Sequence, residues 1–135
     1  SNPEDYVKGN ENILYPKWEK GHYKGGIGEY DRLEQARKIN REAADASASW
    51  GMFQIMGFNY AACGEESIES FGRSMCESEF KQLLLTANFI KKNSQMLQAL
   101  QARDWAVFAK CYNGPAYAQN RYDVKLEAAY QKYSL

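Results

Sequence analysis

A mainly α-helical domain with at most one small β-hairpin is the fold class this chain predicts, on three observations. Between Ser78 and Lys92 the apolar residues Phe80, Leu83, Leu84, Ala87 and Ile90 recur at intervals of three and four, the spacing of one helical face. Asp104 stands directly before the apolar run Trp105 to Tyr112, where an aspartate side chain can take the free N–H groups of a helix start. The stretch Ser47 to Tyr60 is rich in aromatics, contains Gly51 and Gly57 and lacks Lys, Arg, Asp and Glu. It follows neither the helical nor the strand period, and its glycines suit a tight turn or close backbone approach.

Taken in order, residues 3–28, rich in Gly, Lys, Asn and Tyr, read as loop with a short turn at Pro16-Lys17-Trp18. A helix is predicted from Glu29 to about Ala44, with Tyr30, Leu33, Ala36 or Arg37, and Asn40 on one stripe. The hairpin falls at Gly51 to Asn59. A short helix follows the Gly64-Glu65-Glu66-Ser67 start and points Ile68, Phe71 and Met75 inward. Ser78 opens the next helix, which carries the strongest amphipathic signal, and a short one covers Gln95 to Gln101. The helix Trp105 to Tyr112 is apolar on almost every side and is therefore expected to be central. Asn113-Gly114-Pro115 stops it. Asp123 is expected to cap a last helix with Leu126, Ala129, Tyr130 and Tyr133 inward. No repeat, low-complexity tract or linker divides residues 1–135, which read as a single domain.

Composition narrows the function classes. A chain of 135 residues buries roughly two-thirds of its unfolded surface, enough for one core without staples. Its 17 basic and 17 acidic residues cancel, so no long-range attraction to a polyanion is built in, and nucleic acid is not an expected partner. The pairs Arg37-Lys38 and Lys91-Lys92 read as solvated helix surface. No apolar run approaches the ~20 residues of a membrane span, and no membrane partner is expected. Three cysteines without CxxC spacing and a single histidine argue against a zinc site, and no cofactor is expected. Cys111 reads as a small core residue, Cys63 and Cys76 are left as an open pair, and His22 as a surface residue.

Two runs carry a resemblance. Gly51-Met52-Phe53-Gln54-Ile55 and Cys111-Tyr112-Asn113-Gly114-Pro115 resemble paired elements of the lysozyme-like superfamily that includes goose-type lysozymes and soluble lytic transglycosylases. More closely, the text from about Asn12 to Tyr133 is similar to the N-acetylmuramidase domain of phage endolysins and related bacterial wall-lytic proteins. The similarity runs through Tyr30-Asp31-Arg32-Leu33, Ser47 to Asn59, Met75-Cys76-Glu77-Ser78-Glu79, Gln82-Leu83, Asn88-Phe89-Ile90, Asp104-Trp105, Tyr112-Asn113-Gly114-Pro115 and Lys125-Leu126. It implies a lysozyme-like helical fold and cleavage of the β-1,4 bond between N-acetylmuramic acid and N-acetylglucosamine in peptidoglycan. Such a protein acts on the bacterial wall, in the periplasm or outside the cell, and a phage lysin would be made in the cytoplasm and then released.

The family's general-acid glutamate belongs to an upstream Glu-Ser/Ala-Gly-like motif that has no counterpart here. The catalytic residue is therefore unassigned in this chain, and the expectation is a domain without its N-terminal catalytic segment, inactive by itself. An N-terminal segment or a separate chain would complete the fold. What the resemblance leaves here is a sugar groove: Gln54 and Asn113 as amide hydrogen-bonders, Trp50, Phe53, Tyr112, Tyr117 and Tyr122 as walls or stacking surfaces, and Ser49 as a polar contact. The residues themselves leave alternatives open. Trp50 and Phe53 suit a core equally, Gln54 can satisfy turn backbone, Asn113 can be a C-cap, and Glu42 and Asp45 are either a water-orienting pair or a solvated helix end. A catalytically dead wall-binding domain and an interaction protein reusing the fold are the competing classes.

Overall fold

The computed structural model describes residues 3–15, 17, 19 and 21–134; of the turn expected at Pro16-Lys17-Trp18, Pro16 and Trp18 lie outside the described residues. Seven α-helices and one two-stranded antiparallel hairpin are found among them. They fall into two compact units, Ser1–Ala61 with Glu65–Gln82, and Ala62–Gly64 with Leu83–Leu135. Among the described residues no helix is long and apolar enough to cross a membrane.

The first unit opens with a 3-10 turn at Pro3–Tyr6 and irregular chain up to α1 (Gly28–Ile39). The start of α1 lacks a capping side chain at Ile27; instead Glu29 reaches back and accepts the N–H groups of Lys24 and Gly25 at 2.6 and 2.9 Å. Those bonds, with the Arg32 guanidinium, outweigh the cost of burial and hold the Glu29 carboxyl below its usual range. The single helix expected from Glu29 to Ala44 is two helices. Asn40 leaves the helical region (φ −156°) and its side chain accepts the Ala43 N–H at 2.9 Å, so it ends α1 and caps α2 (Arg41–Ser47). Asn40 is accordingly exposed rather than on an inward stripe, and Tyr30 is exposed as well.

The hairpin lies where the glycines placed it. Strands β1 (Ser49–Trp50) and β2 (Ile55–Met56) pair Ser49 with Met56 and Trp50 with Ile55, and a 3-10 turn, Gly57–Asn59, follows. Helix α3 (Ile68–Glu77) starts in a capping box, Ser67 and Ser70 each taking the other's backbone N–H. Its Ile68, Phe71 and Met75 are buried, as the spacing predicts.

The second unit holds most of α4 (Glu79–Lys92), then α5 (Ser94–Ala102), α6 (Trp105–Asn113), a 3-10 segment at Pro115–Asn120, and α7 (Tyr122–Tyr133). Asn93 and Asp104 cap α5 and α6 through the N–H groups of Met96 and Val107. Helix α6 packs on both α5 and α7 and is central to this unit. The core gathers Met96, Ala99 and Phe108, with Phe89, Ile90, Leu100, Val107, Cys111, Tyr112 and Leu126 against them.

Two helix faces and one cap differ from expectation. In α4 the buried residues are Leu85 and Thr86, whereas Phe80, Leu83 and Leu84 stand 68%, 50% and 44% exposed. In α7 only Leu126 reaches the core; Ala129, Tyr130 and Tyr133 are exposed, and Asp123 sits inside the first turn because Arg121, in left-handed backbone (φ 53°), takes the cap position. No disulfide joins the cysteines among the described residues: Cys63 is buried, Cys111 half-buried against the core and Cys76 exposed.

Phe108 is 7% exposed at the centre of its unit, while Trp105 is half-buried beside Tyr130, ring centroids 5.3 Å apart. Phe108→Ala should therefore cost about 3–4 kcal/mol, and Trp105→Ala distinctly less. Chemical denaturation of both variants tests the ranking; a larger loss for Trp105→Ala would show that the α6–α7 seam, not the Met96–Phe108 cluster, holds this unit.

Candidate functional site

The charge-poor run folds into a tight turn on a fixed base. Gly51 to Gln54 link β1 to β2, and both ends of the turn take left-handed backbone, Gly51 at φ 67° and Gln54 at φ 54°. Gly51 is required twice over: besides its φ, a Cβ there would lie 2.7 Å from Gln82 Oε1 and 3.1 Å from the Met75 sulfur. Gln54 Nε2 donates to the Gly51 carbonyl at 2.9 Å, an internal brace for a conformation that a non-glycine residue rarely adopts. Gln82, at the start of α4, completes the support: its Oε1 accepts the Met52 N–H at 2.9 Å and its Nε2 donates to the Met75 carbonyl at 2.8 Å.

The base is built around Asp45 in α2. Its buried carboxylate accepts from Arg37 Nε at 2.6 Å, and Arg37 also pairs with Glu34. The bond to Asp45 is the main reason the Arg37 guanidinium holds its proton even more firmly than usual, against the opposing effect of burial. The Asp45 backbone carbonyl accepts the Trp50 indole N–H at 2.9 Å, and at Gly57 a Cβ would come within 2.1 Å of that same oxygen. Trp50 also meets Phe71 edge-on at 6.2 Å. Arg37 is thus an internal partner and not solvated surface, and Asp45 is a buried structural ion rather than a solvated helix end; Glu42 is exposed.

Of the residues singled out from the sequence, Ser49 and Gln54 are exposed on this hairpin, Phe53 is half-buried, and Trp50 is committed to the base; Met52, not among them, is exposed as well. The Ser49 hydroxyl lies 3.1 Å from the Met56 sulfur. Phe58, just beyond β2, is 61% exposed. In the second unit Tyr112 is half-buried, stacked on Phe108 at 5.8 Å and edge-on to Phe89 at 5.9 Å. Asn113 is exposed in the last turn of α6, and Gly114 (φ 85°) takes the cap position itself. Tyr117 and Tyr122 are half-buried, the Tyr122 ring lying 5.6 Å from Lys125 Nζ. His22 stacks on Tyr15 and faces Glu19, away from any ligand-like cluster, and no group of His, Cys, Asp and Glu among the described residues could hold a metal. The sequence reading missed Gln82 as a support of the turn; its adjacency to Leu83 in the matching text was the only available signal.

A surface depression on α3 is lined by Glu65, Ser70, Arg73, Ser74, Cys76 and Glu77. Burial raises the Glu65 carboxyl, but hydrogen bonds from Ser74 (2.7 Å) and Ser70, with Lys81 and Arg73 nearby, hold it below the ordinary range. Glu11 and Glu29 are held low too. A general acid for glycoside cleavage needs the opposite, a carboxyl raised by an apolar setting.

The family model of N-acetylmuramidase matches residues 1–134. Among solved structures, the crystal structure of the Burkholderia AP3 phage endolysin is similar, with a TM-score of 0.87 and 40% identity over 97% of this chain and 50% of that one. The chain thus spans half the length of that endolysin. Among curated proteins nothing matches.

Burial chiefly, with the Cys63 thiol adding to it, pushes the Tyr112 phenol up to about 12 from 10.0. A folded pKa above the unfolded one means that this group's stabilisation is complete below about pH 10 and lost as pH rises toward about 12. An alkaline titration followed by tyrosinate absorbance should show one late-ionising phenol that Tyr112→Phe removes, together with a flatter loss of stability over that window. A late phenol surviving in Tyr112→Phe would assign it elsewhere.

Proposed function

We propose, from the premise that the chain belongs to the N-acetylmuramidase family, that it is a peptidoglycan-degrading glycoside hydrolase domain acting on the β-1,4 bond between N-acetylmuramic acid and N-acetylglucosamine. The observation that carries this reading is the family match over residues 1–134, supported by the 40% identical endolysin. The hairpin suits the substrate chemically. Ser49 and Gln54 offer a hydroxyl and an amide to hydroxyl and N-acetyl groups, and Met52 and Phe53 offer apolar surface to a sugar face. Trp50 supports this surface from beneath. In the second unit Asn113, Tyr117 and Tyr122 are the proposed glycan contacts, with Tyr112 holding the end of α6 against its core.

Cleavage requires a proton for the leaving oxygen and stabilisation of an oxocarbenium-like transition state. The shifted carboxyls, Glu11, Glu29 and Glu65, are held toward the ionised form, and Asp45 is engaged by Arg37. None of these four carboxyls is therefore proposed as the proton donor. General acid catalysis contributes ~10²–10⁴-fold, so this is testable by lysis of purified cell walls. Extending the chain upstream through the family's Glu-Ser/Ala-Gly-like segment is expected to speed wall clearing at least ~10²-fold. Equal activity of the isolated chain, abolished by Glu42→Gln or another single carboxylate substitution within it, would move the acid to that residue. Failure of both proteins to release reducing sugar would refute the hydrolase itself.

A further inference from the structure

The turn that carries Met52 and Gln54 does not hold its shape alone. Both its ends are in left-handed backbone, and for Gln54 that conformation costs on the order of a hydrogen bond's net worth. Its internal ties are two bonds to one acceptor, the Gln54 N–H at 3.3 Å and Gln54 Nε2 at 2.9 Å, both on the Gly51 carbonyl. The external tie is Gln82, 30 residues further along the chain from Met52. Its side chain is partly buried, and it joins the end of α3, through the Met75 carbonyl, to the Met52 N–H. The fit is mutual: a Cβ at Gly51 would come within 2.7 Å of the amide oxygen and 2.9 Å of its carbon. An aliphatic side chain of the same length would fill this space but would place neither bond.

We infer that Gln82 is a positioning residue for glycan binding: by tying Met52 to α3 it holds the Gly51–Gln54 turn in the conformation that presents Met52 and the Gln54 amide to a sugar. The inference rests on the proposed role of this turn in the muramidase. Gln82 acts through the turn, so its contribution is coupled to that of Gln54. It also depends on both functions of the amide. In Gln82→Glu the acceptor for Met52 survives, but an ionised carboxylate faces the Met75 carbonyl; protonation restores a donor.

Binding of chitotetraose by the 135-residue chain, followed by amide chemical shifts, tests this. Gln82→Met should weaken binding about five- to tenfold, the effect of losing one neutral hydrogen bond's worth of order, and should speed hydrogen exchange at the Met52 amide. Gln54→Ala should weaken binding comparably, and the double variant should lose less than the sum of the two. Gln82→Glu should bind poorly at neutral pH and recover as pH falls through a carboxyl pKa that partial burial and the facing Met75 carbonyl raise; this series carries the test should Gln82→Met fail to fold. Unchanged affinity in Gln82→Met, additive losses in the double variant, or a flat pH profile for Gln82→Glu would each overturn the inference while leaving the turn's sugar contact standing if Gln54→Ala still loses affinity. Absence of binding by the unmodified chain would overturn both.

Discussion

The placement of the hairpin depends on Asp45, which works through its side chain and its backbone at once. The carboxylate is buried and meets Arg37 at 2.6 Å, while the carbonyl of the same residue takes the Trp50 indole and lies where Gly57 would carry a Cβ. A buried ion pair adds little net stability compared with apolar packing, but removing one partner leaves a charge stranded and costs several kcal/mol. Its value here is geometric. With α2 fixed by Arg37 from α1, one backbone oxygen sets the depth of Trp50 on β1 and the approach of Gly57 after β2. The exposed turn between those strands then has a fixed base, and Gln82 sets its tip.

The second unit is organised differently. No ion pair anchors it among the described residues; Met96, Ala99 and Phe108 supply the apolar centre, and the side-chain caps Asn93 and Asp104 define where α5 and α6 begin. Each such cap is worth about 1 kcal/mol, enough to fix a helix start but not to hold helices together. Packing of α6 on α5 and α7 does that. The consequence for Tyr112 is direct: its ring belongs to the same cluster, so the residue that fixes the end of α6 also titrates late.

What was legible in the sequence was local. Ser67 and Asp104 announce helix starts because capping depends on neighbouring backbone, and Gly51 announces the turn because few other residues tolerate its φ. The inward face of α3 followed from spacing alone. What was not legible depended on distant partners. Asn40 looks like one more residue of a polar helix until its side chain is seen to prefer the Ala43 N–H. Arg37 reads as surface because Asp45 is eight residues away and in another helix. The apolar stripe of α4 is a genuine helical pattern, yet burial went to Leu85 and Thr86, since periodicity names a face without naming what covers it. The hairpin was legible in its text, as Ser47 to Asn59, but not in its division of labour: Trp50 turned inward, Gln54 tied the turn to its own Gly51 carbonyl, and Gln82 became the outside brace.

The base of the hairpin is where this account is most exposed to test. A double-mutant cycle on Arg37→Met and Asp45→Leu, with exchange of the Trp50 indole proton read in every variant, measures it directly. The account predicts that each single substitution costs at least about 2 kcal/mol, that the double variant loses less than the sum, and that Trp50 exchanges faster whenever the pair is broken. Additive losses below about 0.5 kcal/mol, with the indole proton as protected as before, would contradict it and leave the hairpin held by the apolar contacts of Trp50 and Ile55 alone.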